Sequence, residues 1–184
     1  PLDMGTDWLN ALHWVQGEPQ CDTDKLGVWG SSMSGGYVVY AAAHDPRVKA
    51  VHSQVTGLLN GRTWGQSPAA RTEATQRARS ELGYPAPGTK MGGLTGAPIT
   101  PRFANYLPSD DILRNDKVAL QFVLAENEEY GGNPASMSTY EQHKGPKNLV
   151  VIPGIGHYDI YRDAWQQSHE LALSWFDKHL KGKR

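Results

Sequence analysis

The fold is decided by the run Leu26-Gly27-Val28-Trp29-Gly30-Ser31-Ser32-Met33-Ser34-Gly35-Gly36. Residues 26–29 are apolar and predict a buried strand, and residues 37–44 predict a helix of mostly small residues. A turn this sharp needs small residues two positions before and two positions after its central residue. Ser32 meets that condition, with Gly30 before it and Ser34 after it. The strand–turn–helix pattern therefore favours a reactive serine at position 32 over a turn that only caps a helix.

Ser34 is the alternative nucleophile, with Ser32 before it and Gly36 after it. That assignment would push the turn two residues beyond the end of the strand, so the sequence favours Ser32.

The rest of the chain alternates strands with helices. Helices are predicted over residues 4–15, 134–143 and 163–180, and strands over residues 48–55, 117–125 and 148–152. Strands of continuous apolar character between helices are typical of a parallel α/β sheet that is covered on both faces.

The stretch from Gly57 to Asp116 breaks this alternation. Ser67 and Pro68 predict the start of a polar helix that runs to about Leu82, and loops rich in glycine and proline follow. A loop this long is uncommon in a compact domain unless it is functional. We therefore predict three parts. These are a core segment at 1–56, a cap or lid insertion at 57–116 over the carboxyl ends of the strands, and a second core segment at 117–184.

A serine hydroxyl becomes a good nucleophile when a histidine removes its proton. Seven histidines are available, namely His13, His44, His52, His143, His157, His169 and His179. His157 follows the strand at 148–152 in a predicted glycine-flanked loop, which would allow an imidazole to reach over the edge of the sheet. His13, His169 and His179 fall in predicted helices, where surface or packing roles are expected.

The imidazole in turn needs a carboxylate that fixes its tautomer. The third strand runs directly into Ala125-Glu126-Asn127-Glu128-Glu129-Tyr130. Glu126, Glu128 and Glu129 compete for this role, spacing does not decide between them, and a solvated acidic turn is the alternative for all three. The chain order serine, acid, histidine is the one expected for a fold in which the serine follows a strand at such a turn.

Composition excludes several classes of protein. The chain has 184 residues and a formal net charge of −1, which gives no general attraction to nucleic acid or anionic membranes. No apolar stretch approaches the roughly 18 residues of a membrane span. Cys21 is the single cysteine, so an internal disulfide framework and a cysteine-rich zinc site are excluded. None of these features indicates a cellular compartment.

These motifs resemble the carboxyl-terminal part of an α/β-hydrolase, and they are most similar to serine esterases of the dienelactone-hydrolase-like and polyketide-hydrolase-like kind. The resemblance rests on GVWGSSMSGGYVVYAAAHDPRVKAV (27–51), LAENEEYGGN (124–133), VIPGIGHYDIY (151–161) and SWFDKHLKG (174–182). It implies a mostly parallel sheet with helices on both faces. It also implies that Glu128 is the catalytic carboxylate, with Glu126 as the alternative. Dienelactone hydrolases proper use cysteine as nucleophile, so serine at position 32 points away from that activity.

In the complete fold, several strands and a helix precede the segment with which this chain begins. Without them the strand around Val28 would have a bare apolar edge, which is an aggregation hazard. We therefore expect a missing amino-terminal segment or a second chain that completes the sheet, and a minimal hydrolase is the less favoured interpretation. The backbone N–H of Met33 is expected to be one oxyanion donor, and the second is expected from a loop after an earlier strand.

The sequence thus predicts a serine hydrolase that cleaves an ester, thioester or lactone with Ser32, Glu128 and His157. The resemblance implies no metal and no organic cofactor. The alternatives are an acyltransferase on the same fold, a non-catalytic binding module and a peptidase. Five residues of the insertion could line an acyl pocket or form the insertion's own core, namely Trp64, Tyr84, Met91, Phe103 and Tyr106.

Overall fold

The computed structural model describes residues 1–83, 90–91, 94–95 and 100–182. Its strands are β1 (Leu26–Ser31), β2 (Val48–Gln54), β3 (Lys90–Met91), β4 (Leu94–Thr95), β5 (Ala119–Asn127) and β6 (Lys147–Gly156). Its helices are α1 (Leu2–Gln16), α2 (Met33–His44), α3 (Gly61–Gly65), α4 (Pro68–Ala78), α5 (Pro108–Ile112), α6 (Asn133–Gln142) and α7 (Trp165–Lys181). Short 3-10 helices cover Thr100–Asn105 and Asp159–Tyr161.

The chain divides into two compact units. The larger unit consists of Asp3–Leu59 and Pro108–Arg184, and the smaller unit consists of Asn60–Leu107 with Pro1–Leu2.

The larger unit is built on a four-stranded sheet with the order β1-β2-β5-β6. Every neighbouring pair in this sheet is parallel, and Val28, Val51 and Leu120 lie side by side on consecutive strands. The sequence-based prediction of a parallel sheet is confirmed, and all of its strands are found within a few residues of their predicted places.

Alternate residues of β5 point to opposite faces of the sheet, as the pleat requires. On one face Leu120, Phe122 and Leu124 pack in a single core with side chains of α1, α2 and α6. On the other face Ala119 packs with Trp175 of α7. Burying a side chain such as Phe122 stabilises the fold by about 1.5–3 kcal/mol, so the two layers hold the strands firmly in register.

The strand β6 is longer than its sequence indicates. The apolar pattern ends at Ile152, but the backbone continues in strand conformation to Gly156, which lies beside Asn127 of β5. A register irregularity between Ala125 and Asn127 allows this extension. The glycines before His157 therefore belong to the end of a strand and not to a loop.

In the smaller unit, α4 begins as predicted and ends early. The Ser67 hydroxyl accepts a hydrogen bond from the N–H of Ala70 at 3.2 Å, which is the predicted capping interaction. The helix stops at Ala78 and not near Leu82, because Ser80 has a φ of 60° and cannot continue a right-handed helix.

Two short helices were not predicted from the sequence. Asn60 begins α3, with its side-chain oxygen accepting from the N–H of Arg62 at 2.9 Å. In the larger unit, α5 packs on α2, and Asp111 lies 3.0 Å from the imidazole of His44. Neither helix is long enough to give a periodic apolar pattern.

Within the described ranges, none of the helices has the length and apolar character needed to cross a bilayer.

Candidate active site

Ser32 stands between β1 and α2 in a backbone conformation that is rare for an L-residue. Its φ is 55° and its ψ is −127°, a conformation that costs on the order of 1–3 kcal/mol and persists only when neighbouring contacts impose it. Here the Ser32 N–H donates to the carbonyl of Gln54 at 3.0 Å. The Ser32 carbonyl accepts from Gly35 at 3.0 Å and from Gly57 at 2.8 Å. These three hydrogen bonds fix the strained residue in place.

Gly30 makes the turn possible by its lack of a side chain. A Cβ atom at this position would overlap the backbone carbonyl of Ser34 and would lie 2.7 Å from Cγ2 of Val38. Position 34 tolerates a serine, which is half-buried in the first turn of α2. Ser32 therefore stands in a sharp turn with a glycine two positions before it and a small, half-buried serine two positions after it.

The hydroxyl of Ser32 faces His157. Ser32 occupies the position before α2, yet its side chain makes no capping hydrogen bond. Its Oγ instead lies 3.0 Å from Nε2 of His157, which follows β6 directly. The two residues are 125 positions apart in the chain, and the sheet brings them together.

The other nitrogen of His157 faces Glu128. Both carboxylate oxygens of Glu128 lie 2.9 Å from Nδ1, and the exposed fractions of the two side chains are 7% for His157 and 3% for Glu128. A carboxylate can only accept, so Nδ1 carries the proton and donates it, and Nε2 is left to accept from Ser32. The N–H of Tyr130 holds the carboxylate by donating to Oε1 at 3.0 Å.

The remaining two glutamates make different contacts. Oε2 of Glu126 accepts from the N–H of Gly154 at 2.7 Å, and Oε2 of Glu129 accepts from the N–H of His157 at 2.7 Å. That second hydrogen bond is the main reason why the pKa of Glu129 lies below its usual value. The structure thus gives each of the three competing glutamates a separate place, and Glu128 is the one that meets the imidazole.

Met33 is the first residue of α2 and directly follows Ser32. The first N–H groups of a helix have no acceptor within the helix, so the N–H of Met33 is available to a ligand beside Ser32. Its role as an oxyanion donor stays a prediction.

Three tyrosines around His157 were missed in the sequence. Tyr130 and Tyr158 contact the imidazole edge-on, with ring centres 4.8 and 5.2 Å away, and Tyr161 lies at 6.5 Å. The Tyr130 hydroxyl donates to that of Tyr158 at 3.3 Å, and the Tyr161 hydroxyl lies 2.6 Å from Oγ of Ser31. The signal was present in the run His157-Tyr158-Asp159-Ile160-Tyr161, where aromatic residues adjoin the candidate histidine.

Several other histidines are engaged away from Ser32. In the buried His52, Nδ1–H donates to Oε1 of Gln121 at 2.6 Å, and burial lowers the pKa of its imidazole. His143 is also buried, and its Nε2 lies 3.0 Å from the carbonyl of Val118.

The candidate pocket residues of the insertion are only partly described. Tyr106 is buried and Phe103 is half-buried. Tyr84 and the side chains of Trp64 and Met91 lie outside the described residues. In the described part of the chain, no group of three or more histidine, cysteine, aspartate or glutamate side chains is arranged to hold a metal ion.

No protein-family model matches the sequence. An uncharacterized 31.7 kDa protein from the traX-finO intergenic region of Escherichia coli is 23% identical over 216 residues, which cover 98% of this chain and 74% of that protein. The acyltransferase drtE of Aspergillus calidoustus is 38% identical over 45 residues, which cover 24% of this chain and 15% of that protein.

Solved structures resemble the chain over almost its whole length. A hypothetical protein from Pseudomonas aeruginosa has a TM-score of 0.69 at 21% identity, with 92% of this chain and 65% of that chain covered. The alpha/beta hydrolase GrgF from Penicillium has a TM-score of 0.71 at 16% identity, covering 96% of this chain and 71% of GrgF. A dienelactone hydrolase from Anabaena variabilis has a TM-score of 0.59 at 20% identity, covering 96% and 59%. The chain therefore shares the fold of these proteins and spans about two thirds of their length.

Proposed function

We propose that this chain, which has the α/β-hydrolase fold, is a serine hydrolase that cleaves an ester, thioester or lactone through an acyl-enzyme on Ser32. One observation carries the proposal, namely the hydrogen-bonded series from Glu128 through His157 to Ser32, with distances of 2.9 and 3.0 Å. The strained turn that presents Ser32 supports it. Two acetyl xylan esterases and a dienelactone hydrolase among the structures of the same fold support the reaction class.

In the proposed reaction, Oγ of Ser32 attacks the substrate carbonyl carbon while His157 Nε2 takes the hydroxyl proton. Glu128 accepts from Nδ1 and stabilises the imidazolium that forms. The bond between the carbonyl carbon and the leaving oxygen or sulfur then breaks, and that atom takes the proton from Nε2. A water molecule next attacks the acyl-enzyme and gives its proton to Nε2. The bond to Ser32 breaks, Oγ recovers the proton, and the carboxylic acid leaves.

The oxyanion of each tetrahedral intermediate would accept a hydrogen bond from the N–H of Met33. Such a donor is already oriented by the backbone of α2, so it does not need to reorganise during the reaction. Loss of one oxyanion donor typically lowers kcat by about 10²–10³-fold, which indicates how much this single N–H could contribute.

The test is covalent labelling with a fluorophosphonate, followed by intact-mass analysis and peptide mapping, together with turnover of a chromogenic ester. We expect an adduct on Ser32, and we expect Ser32→Ala to lose both the adduct and turnover while it keeps the melting temperature of the wild type. Ser34→Ala is the matched control, because it removes a neighbouring hydroxyl, and it should be labelled normally. An adduct on Ser34, or turnover retained by Ser32→Ala, would contradict the assignment. No adduct on any serine would favour the non-catalytic binding module.

A second candidate function is acyl transfer to an alcohol or amine. The observation that favours it is the match to the acyltransferase drtE of Aspergillus calidoustus, which is 38% identical over a short stretch of 45 residues. Hydrolysis and transfer share the acyl-enzyme and differ in how well the site excludes water. Product analysis with a competing alcohol separates the two, because a transferase gives mainly the new ester and a hydrolase gives mainly the acid.

We also propose that a further strand, from a preceding segment or from a second chain, completes the sheet at β1. In the described part of the chain β1 pairs with β2 alone. On β1 the side chain of Trp29 is 46% exposed, and it lines a cavity of about 270 Å³ together with Tyr161 and Trp165. A native preparation should therefore contain more polypeptide than the 20.2 kDa of this chain. A stable monomer of that mass, with no associated chain, would contradict this proposal.

Finally, we propose that residues 57–116 act as a cap that helps to select the acyl group. The buried Tyr106 suits a role in the insertion's own packing, whereas the half-buried Phe103 remains a candidate for the pocket. Phe103→Ala should then change the preference between short and long acyl chains in a series of esters. An unchanged chain-length profile would assign Phe103 to packing.

A further inference from the structure

We infer that Glu129 is a positioning residue for His157, acting as a hydrogen-bond acceptor for the histidine's own backbone N–H. This inference rests on the proposed function, because it assigns a task to a neighbour of the proposed base. Nothing in the sequence pattern separates Glu129 from the other glutamates of the same turn.

Three carboxylates hold the histidine segment, which we define as the last three residues of β6 together with His157 (residues 154–157). Glu126 accepts from the N–H of Gly154 at 2.7 Å, Asp159 accepts from that of Gly156 at 2.8 Å, and Glu129 accepts from that of His157 at 2.7 Å. Glu126 is in β5 and Glu129 follows that strand closely, so two of these acceptors come from the neighbour of β6. They lie where the register between β5 and β6 is irregular, and side-chain carboxylates accept from the N–H groups of β6 there.

The Glu129 contact differs from the other two because it acts on His157 itself. A hydrogen bond to its N–H limits rotation about φ of His157, and φ sets the direction in which the imidazole leaves the backbone. The imidazole must reach Ser32 at 3.0 Å on one side and Glu128 at 2.9 Å on the other. A misplacement of about 1 Å in such a site can cost about 10²-fold in rate.

The geometry offers a second way to disturb this contact. Gly156 has no side chain, and a Cβ atom there would lie 2.8 Å from Oε1 of Glu129 and 3.3 Å from its Oε2. Gly156→Ala would therefore push the carboxylate away from the N–H of His157 without removing the charge. Its φ is not among the positive values, so an alanine fits the backbone.

The test compares Glu129→Ala, Glu129→Gln and Gly156→Ala in steady-state hydrolysis and in the rate of fluorophosphonate labelling. We expect Glu129→Ala to lower kcat and the labelling rate by about 10–100-fold with KM nearly unchanged. Glu129→Gln keeps an acceptor oxygen and should restore most of the loss. Gly156→Ala should lower kcat in the wild type and add little to Glu129→Ala, because both changes break the same contact.

Glu126→Ala is the matched control, since it removes a similar hydrogen bond three residues before His157. It should cost far less than Glu129→Ala. Equal losses in the two variants would overturn the inference, because the carboxylates would then only stabilise the segment. A loss that glutamine does not restore would also overturn it, since the cause would then be the charge of Glu129 and not its ability to accept a hydrogen bond.

If Ser32→Ala keeps its activity in the same assay, the proposed function fails. If Ser32→Ala is inactive and Glu129→Ala is normal, only the inference fails.

Discussion

The turn after β1 and the histidine segment at the end of β6 each present one side chain at the carboxyl ends of the strands, and they are held in different ways. The turn at Ser32 is fixed by backbone contacts, where Gly30 allows the close approach of the Ser34 carbonyl and three backbone hydrogen bonds impose a positive φ. The histidine segment is fixed by side chains, because three carboxylates accept from its N–H groups. The turn depends on the missing side chain of Gly30, whereas the histidine segment depends on the carboxylate side chains that accept its hydrogen bonds.

This difference predicts how each region responds to substitution. In the turn at Ser32, a single added side-chain atom causes a clash, so we expect both stability and activity to fall. A set of hydrogen bonds weakens one contact at a time, so activity can fall while the fold persists.

The largest effect is expected at Glu128, which lies on the side of the site that is built from side chains. Glu128→Gln keeps the size of the side chain and removes the charge that stabilises the imidazolium. We expect kcat to fall by about 10²–10⁴-fold with little change in melting temperature. Glu126→Gln is the control and should lose little. If Glu126→Gln loses the larger share of activity, then the acid has been assigned to the wrong residue.

In the turn at Ser32, which is held by backbone contacts, Gly30→Ala should affect the fold as well as the site. The added Cβ would overlap the Ser34 carbonyl, so the turn must shift, and we expect a destabilisation of about 1–3 kcal/mol together with a large loss of fluorophosphonate labelling. Gly27→Ala is the matched control in the same strand, since the atoms nearest to its Cβ would be side-chain atoms of Leu180 and Phe176, at 2.8 Å, and not backbone atoms. Similar melting temperatures for the two variants would contradict the steric account.

The free energy of unfolding should depend on pH through His52, which lies in β2 beside the strand that leads into the Ser32 turn. Burial lowers the pKa of His52 below the ordinary histidine value of 6.5. Above that pH the residue is neutral in both states. As the pH falls below it, the unfolded chain takes up the proton first, so the free energy of unfolding decreases until the pH drops below the folded-state pKa.

Thermal unfolding of the wild type and of His52→Gln between pH 8 and pH 5 measures this contribution. We expect the wild type to lose more stability on acidification than the variant does. Parallel pH profiles for the two proteins would show that the charge on His52 has no part in the acid response.

The smallest effect is expected at a hydrogen bond between Ser31, which precedes the turn, and Tyr161, which lies four residues after His157. The hydroxyl of Tyr161 lies 2.6 Å from Oγ of Ser31, which directly precedes Ser32. Tyr161→Phe should cost about 0.5–1.5 kcal/mol at most and lower turnover by no more than about tenfold. Tyr130→Phe is the control, because its hydroxyl contacts Tyr158 and does not reach β1. A larger loss in Tyr130→Phe than in Tyr161→Phe would show that this bond does not couple the two regions.

Much of the fold could be predicted because the apolar strands are short, continuous and separated by clear turn residues. The strand and turn from Leu26 to Gly36 could be interpreted from steric size alone, and His157 stood out by its position after the last strand. The structure brings Ser32 and His157 within hydrogen-bond distance, as that interpretation required. Their catalytic roles remain predictions.

The acid could not be selected from spacing, and the structure gives the physical reason. The register of β5 against β6 is irregular between Ala125 and Asn127, so the alternation that tells inward from outward side chains breaks down where the glutamates begin. The family resemblance pointed to Glu128, and its side chain is the one that contacts the imidazole. The short helices α3 and α5 escaped prediction because five residues complete little more than one helical turn.

The strand order has a consequence for how this protein acquires its shape. Ser32 follows the strand at one end of the order β1-β2-β5-β6, and His157 follows the strand at the other end. Their contact closes a loop of 125 positions, among the costliest kinds of contact for a chain to form by diffusion. Contacts of this range slow folding, and parallel pairing adds to the delay. We therefore expect Ser32 and His157 to come into contact during refolding only after these four strands have found their register.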